Sequence, residues 1–419
     1  MQWTTARFRF CVVAWLAGSA LAAACGGDDA AAVDAGSDTG TPTPAPAEDA
    51  MVDAAADASD GGLPCPLLDA RIEVDRTVGP GCLRMERTTV VDATLTLEPD
   101  TEVLVAPGGY LHVTGSGALV AIGTEDAPIV FTSEAADPLA GDWECISLEA
   151  QASASELSHV RLEYGGATCS TNGAGNRATL QVFTGARNLS NLTITDSASS
   201  ALLFAGDVRG FSNNTFARNA EPSILLRAPN LIALTGPHTF EDADDFILVE
   251  TGSRLSTSGT WNAQGVPYRL DGTLEVRLGA DVTVEAGTTI QLQGSIDVFE
   301  GSFNTMGTAE APVLLTSAHD SPIAGDWGCV FGDAGRFSHT TFEYGGAGCG
   351  GMDSKSLLLA NDQTMIDNCT FRESAGSAIH GYFASDAVCP SWCDTNTFEA
   401  IATTAIDCGS TTPSPVACP

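Results

Sequence analysis

Four blocks of sequence occur twice, in the same order, roughly 180 residues apart. Residues 123–133 read GTEDAPIVFTS and 307–317 read GTAEAPVLLTS; GDWECI at 141–146 is answered by GDWGCV at 325–330. SHVRLEYGGA at 158–167 matches SHTTFEYGGA at 338–347, and LSNLTITDSASSAL at 189–202 matches IDNCTFRESAGSAI at 366–379. Order and spacing together predict a duplication, so the chain must be built from a unit that can be repeated and stacked.

A shorter period runs inside each copy. Thr followed by a large apolar residue recurs at Thr193-Ile194, Thr215-Phe216 and Thr239-Phe240, then at Thr370-Phe371 and Thr397-Phe398. Between these lie brief alternating runs such as Thr94–Leu97, Glu102–Val105 and Leu274–Leu278, punctuated by Gly, Asn and Asp. Period-two apolar residues read as short strands. Strands returning at a period of roughly 22 residues, with almost no helical pattern, predict an all-β solenoid of stacked coils. A sandwich or propeller would need tight hairpin turns at even spacing, and Asn-Gly or Asp-Gly links between equal strands are scarce.

These residues resemble the right-handed parallel β-helix proteins of the pectin-lyase-like group. The likeness is to exported bacterial proteins with a Gly-Thr, Ala-Pro-Ile-x-Phe-Thr-Ser, Gly-Asp-Trp, Glu-Tyr-Gly-Gly pattern. The resemblance spans about residues 88–408. It implies a fold and leaves function open, because that fold carries lyases, hydrolases, adhesins and spacers alike. The expected organisation is a signal over 1–24, a tether over 25–64 and an N-terminal cap over 65–87. A solenoid over 88–408 follows, with copies at about 88–265 and 266–388, and a disulfide-rich C-terminal cap at 389–419.

Arg7 and Arg9 precede an apolar stretch from Phe10 to Leu21 and a small-residue exit, Ala22-Ala23-Ala24. That describes a secretory signal too short to span a bilayer. Cys25-Gly26-Gly27 resembles the mature start of a bacterial lipoprotein, which implies lipidation of Cys25 and a membrane partner reached through that lipid. Ala22 stands where the family usually has Leu, and plain cleavage after Ala24 would instead release a secreted protein. Gly26, by the same resemblance, implies sorting to the outer membrane. From there to about Pro64 the chain is Ala, Asp, Gly, Thr and Pro with nine acids and no base. Such a composition cannot bury enough apolar surface to fold and is expected to be a solvated spacer.

Charge narrows the partners. The chain has 53 Asp and Glu against 18 Lys and Arg, a net −35, with Lys355 its single lysine. Nucleic acid and anionic headgroups would be repelled. A glycan or a protein remains as the expected ligand, and oligomeric state is left open.

Export permits disulfides. Cys145 and Cys169 sit in the first copy where Cys329 and Cys349 sit in the second, about one coil apart, which predicts the pairs Cys145–Cys169 and Cys329–Cys349. Cys65 and Cys82 are expected to close the N-terminal cap. Cys389, Cys393, Cys408 and Cys418 would lock the C-terminal one, with three pairings open. Cys369 replaces Leu192 and is expected as a buried thiol. Cys389-Pro-Ser-Trp-Cys393 lacks the nearby His that a zinc site would want.

The candidate chemistry lies in the repeated blocks. Asp142 with Glu163, and Asp326 with Glu343, are carboxylate pairs of the kind a glycosidase uses. Trp143, His159 and Tyr164, with Trp327, His339 and Tyr344, form a possible ligand face. Strand alternation would send His159, Arg161 and Glu163 one way and Val160, Leu162 and Tyr164 the other. The structural alternative has Gly-Asp-Trp as a turn with an anchoring Trp, and it is favoured because an active site is normally single. The resemblance also implies tests of pectin-type chemistry. Asp242, Asp244 and Asp245 cluster, but His238 lies in Gly-Pro-His and no Arg-x-Lys occurs, so a cationic cleft for an anionic polymer is missing. Asn213, Asn214 and these aspartates offer at most a loose calcium site; no other cofactor is expected, and turn geometry explains them better.

Overall fold

The computed structural model describes residues 65–149, 154–169, 178–183, 186–206, 208–220, 222–234, 236–252, 254–332, 335–348, 355–382, 384–385, 388–408, 415–416 and 418. The signal, Cys25, the tether and Cys349 lie outside them. One coil shows the construction. Thr88–Val91, Thr94–Leu97 and Thr101–Val105 are three short strands, and the next, Tyr110–Val113, returns directly above the first. Thr88 pairs with Tyr110 in parallel register, so this coil runs from Thr88 to Gly109. Alternation puts Val91, Leu95, Leu97, Val103 and Val105 inside, all buried, while the threonines between them face out.

Stacking such coils gives an all-β, parallel-sheet solenoid of the β-helix kind. A 14-stranded sheet runs its length, from Arg71–Ile72 to Thr397–Ile401. The other two sides change part-way. In the first half they are a six-stranded sheet ending at Phe211–Ser212 and a seven-stranded sheet ending at Thr239–Phe240. In the second half they are a five-stranded sheet starting at Gly259–Trp261 and another seven-stranded sheet starting at Leu274–Val276. Among the described strand pairs, only Ile406–Cys408 with Pro415–Val416 is antiparallel.

The solenoid starts earlier than the sequence suggests. Strands at Arg71–Ile72, Arg76–Val78 and Gly81–Met85 already pair into all three sides, so most of the expected cap over 65–87 is a first coil. Cys65 bonds to Cys82 there, and the chain at 66–68 crosses the last of these strands through Leu68 N–H to Arg84 O (2.7 Å). Cys145 is bonded to Cys169, Cys389 to Cys408 and Cys393 to Cys418. Cys329 is also disulfide-bonded. Cys369 is a buried free thiol, its pKa pushed up to about 12 chiefly by burial. Inside, aromatic rings stack from rung to rung: Phe342 on Phe371 at 4.8 Å and Phe371 on Phe398 at 5.6 Å between centroids.

Candidate functional site

The His-x-x-x-Glu-Tyr blocks are short strands with a left-handed residue at each end. His159 (φ 51°) and Tyr164 (φ 65°) bracket Val160–Glu163; His339 (φ 46°) and Tyr344 (φ 64°) bracket Thr340–Glu343. The same spacing of left-handed residues recurs at Asn191 and Asp196, Asn213 and Arg218, and Asn368 and Glu373. These are the bends that turn the chain from one side of the coil to the next. A left-handed residue ends strand alternation, so Tyr164 and Tyr344 do not follow Leu162 and Phe342 into the core but lie half-buried at the corner. His159 Nδ1 sits 3.1 Å from Ser158 Oγ and His339 Nδ1 3.2 Å from Ser338 Oγ.

Both tryptophans are interior. Trp143 is fully buried and donates Nε1–H to Glu163 O at 2.7 Å; Trp327 is likewise buried and donates to Glu343 O at 2.7 Å. Neither indole can stack on a sugar, which corrects their place in a ligand face. The glycines after Glu-Tyr follow from this. A Cβ on Gly165 would lie 2.9 Å from the Trp143 ring and one on Gly345 2.5 Å from the Trp327 ring, and Gly166 and Gly346 have φ of 88° and 89°.

The acids are spent locally. Asp142 Oδ2 accepts from Ser133 Oγ (2.6 Å) and Leu139 N–H (2.9 Å), and Asp326 Oδ2 from Ser317 Oγ (2.7 Å) and Ile323 N–H (2.9 Å). Burial pushes the Asp326 carboxyl upward, but the Ser317 hydroxyl and the Ile323 N–H outweigh it and hold it below its usual range. Glu163 accepts from Thr132 Oγ1 (3.4 Å) and pairs with Arg161. Glu343 accepts from Thr316 Oγ1 (2.7 Å) and takes Arg372 Nε at 2.6 Å and Nη2 at 2.5 Å. The hydroxyls holding each Glu and its Asp come from consecutive strand residues, Thr132-Ser133 and Thr316-Ser317. Successive residues point to opposite faces, so the two carboxylates of a pair lie on opposite sides of the sheet and do not converge.

The aspartate cluster is also built into a turn. Asp245 is buried and accepts from Ser223 N–H (3.0 Å), Ser223 Oγ (2.5 Å) and Phe246 N–H (2.7 Å); Asp242 accepts from Arg218 N–H (2.6 Å). With Asp244 they line an open depression of about 360 Å³. Asn213 donates to Asn191, and Asn214 Oδ1 accepts from Leu192 N–H one rung below (2.9 Å). Among the described residues no group of three His, Cys, Asp or Glu is arranged to hold a metal ion, and no helix is long and apolar enough to cross a membrane.

His238 belongs to this ladder. Its Nδ1 accepts from Asn214 N–H at 3.3 Å, its ring lies 4.4 Å from Phe211, and burial alone lowers its pKa to about 4. Asn396 does the same work in the second half, accepting Cys369 N–H at 2.7 Å. The sequence carries a signal for this ladder: an Asn or His stands immediately before the recurrent Thr at Asn214, His238 and Asn396.

The two Gly-Asp-Trp corners occupy different sides of the solenoid. Ile129–Ser133 and Val160–Glu163 belong to the seven-stranded sheet of the first half, whereas the matching Val313–Ser317 and Thr340–Glu343 belong to the 14-stranded sheet. The strands after the tryptophans shift likewise, Ile146–Leu148 lying on the 14-stranded sheet and Val330–Gly332 on the second half's seven-stranded one. Equivalent blocks are thus one side apart around a three-sided coil.

A family model described as a pectate-lyase like beta helix domain matches residues 253–355, which include the second corner. No curated protein matches the chain, and no solved structure does.

Proposed function

We propose that this chain is a non-catalytic lipoprotein displayed on the bacterial envelope. Cys25 carries the lipid, and the acidic segment to residue 64 is the tether. Beyond it stands a right-handed β-helix made by duplicating one multi-coil unit. The solenoid serves as a stiff spacer that offers its outer surface to a protein or glycan. One observation carries the non-catalytic part: each candidate Asp and Glu is held by its own coil, and the members of a pair face opposite ways across a strand. A general acid and its partner must instead flank one bond from a shared cleft. The fate of the tryptophans supports the same reading, since the aromatic part of the motif is used up in packing.

The test uses the oxidised protein, incubated with a panel of neutral and acidic polysaccharides with and without calcium. New reducing ends and unsaturated products are followed, with Glu163→Gln and Glu343→Gln alongside. No turnover on any polymer is expected. Turnover abolished in either variant would overturn the reading in favour of a polysaccharide-degrading enzyme and would name the corner responsible. Labelling with radioactive palmitate in the native host, lost in Cys25→Ala, tests the anchor separately.

A further inference from the structure

The two ends of the solenoid are finished differently. At the first coil, residues 66–68 cross the Gly81–Met85 strand and the Cys65–Cys82 bond ties them down. At the last coil two of three sides are covered. Pro415–Val416 pairs with Ile406–Cys408, and Asn396 bonds to Ile366 O and Cys369 N–H across the Thr364–Asp367 strand. The third side ends at Thr397–Ile401, the terminal strand of the 14-stranded sheet. Thr397, Glu399 and Ala400 are exposed there, and Phe398, the last ring of the Phe342–Phe371–Phe398 stack, is only half-buried. An open depression of about 380 Å³ lies against Thr397, Phe398 and Ile401.

We propose that this edge pairs with the same edge of a second copy, joining two solenoids tip to tip through one continuous sheet. The register follows from the main chain. Thr397 N–H donates to Cys369 O at 2.9 Å, so Thr397 and Glu399 turn their peptide groups toward the strand below. Those of Phe398 therefore face outward. An antiparallel two-fold pair centred on Phe398 exchanges both Phe398 N–H···O bonds and brings the two rings together on the inner face. That continues the aromatic stack into the second copy. Thr397 then lies opposite the other copy's Glu399, so no two like charges face each other directly. The first and last strands of the long sheet are separated by thirteen spacings of ~4.8 Å, roughly 60 Å. If the tether anchors the first end, the pairing tip is the distal one, and it would join molecules on facing surfaces.

The pairing itself does not depend on the anchor or on the absence of catalysis, so its test stands apart from theirs. The chain from Gly26 to Pro419 is examined by sedimentation equilibrium over a range of concentration and salt. A reversible dimer is expected, favoured by salt because Asp394, Glu399 and Asp407 place negative charge at both tips. Thr397→Glu sets carboxylates opposite each other and should weaken the dimer at least tenfold, and adding Glu399→Lys should restore it. Phe398→Pro removes the outward N–H and should leave monomer. The two exposed positions keep the test valid if the Phe398 variant folds poorly. A monomer at every concentration and salt, or a dimer indifferent to Thr397→Glu, would overturn the proposal.

Discussion

The two Gly-Asp-Trp corners share an interior and differ outside. In both, the indole donates to the carbonyl of the corner Glu at the same 2.7 Å, and the Asp gathers a Ser hydroxyl and a turn N–H. Outside, Glu163 meets an exposed Arg161 on its own strand, whereas Glu343 is buried beneath Arg372 from the rung above. The strand after each tryptophan diverges further. In the first corner Ser147 stands beside His112, which lies 3.0 Å from Glu149; in the second Phe331 is buried against Leu359, next to Asp297. Burial and the neighbouring Glu275 raise the Asp297 carboxyl's pKa despite Arg277. A motif kept on the inside while its outer surroundings change, and placed on different sides of the coil, is serving the coil. A repeated ligand face would show the reverse.

The largest expected effect follows from that shared interior. Trp143→Ala and Trp327→Ala should each cost about 3–5 kcal/mol, the range for emptying a large buried aromatic site, and the two losses should be alike. Urea unfolding of the oxidised protein measures this. A severe loss at one corner with a mild one at the other would break the equivalence and mark the mild one as held by something besides the indole.

Acid should separate the halves. His238 and Asn396 each accept an N–H from the rung below, but only the imidazole can be protonated. Its folded pKa of about 4 lies below the 6.5 of an ordinary histidine. The neutral form is therefore favoured by folding: this stabilisation is complete above pH 6.5, declines as pH falls, and is gone below about 4. The gap corresponds to about 3 kcal/mol. Other groups contribute to acid sensitivity, among them Asp196, whose carboxyl the Arg218 hydrogen bonds hold low. The contrast between the native chain and His238→Asn at pH 7 and pH 4.5 isolates the histidine. The variant should lose less stability on acidification; equal losses would mean that the ring escapes its pocket when charged.

How much of this is legible in the sequence depends on whether the information is local. Alternation at Thr94–Leu97 and the regular return of the recurrent Thr reveal strands and coil, because burial of every second residue is a local property. The pairing of Cys145 with Cys169 follows from one coil of separation. Tyr164 defeats the same logic, because alternation cannot be carried through a residue whose left-handed φ stops it. Trp143 is ambiguous because a residue just after a turn can face either way, and only the glycines that wall its ring decide. The side each corner occupies is beyond reading. It depends on the summed length of every coil between the blocks, including the irregular turns, and no motif carries that sum.

The smallest effect tests the outer difference directly. Glu163 is bonded by a distant Thr132 hydroxyl and an exposed Arg161 free to find water, so Glu163→Gln should change stability by no more than about 0.5 kcal/mol. Glu343 is buried and takes three short bonds from Thr316 and Arg372. Glu343→Gln keeps the shape but removes the charge from two of those bonds, and should cost about 1–2 kcal/mol, moderated because Arg372 is itself half-exposed. Denaturation midpoints at matched slope compare the two variants. Equal, small losses would show that burial beneath Arg372 adds nothing, and the second corner would then be no better secured than the first.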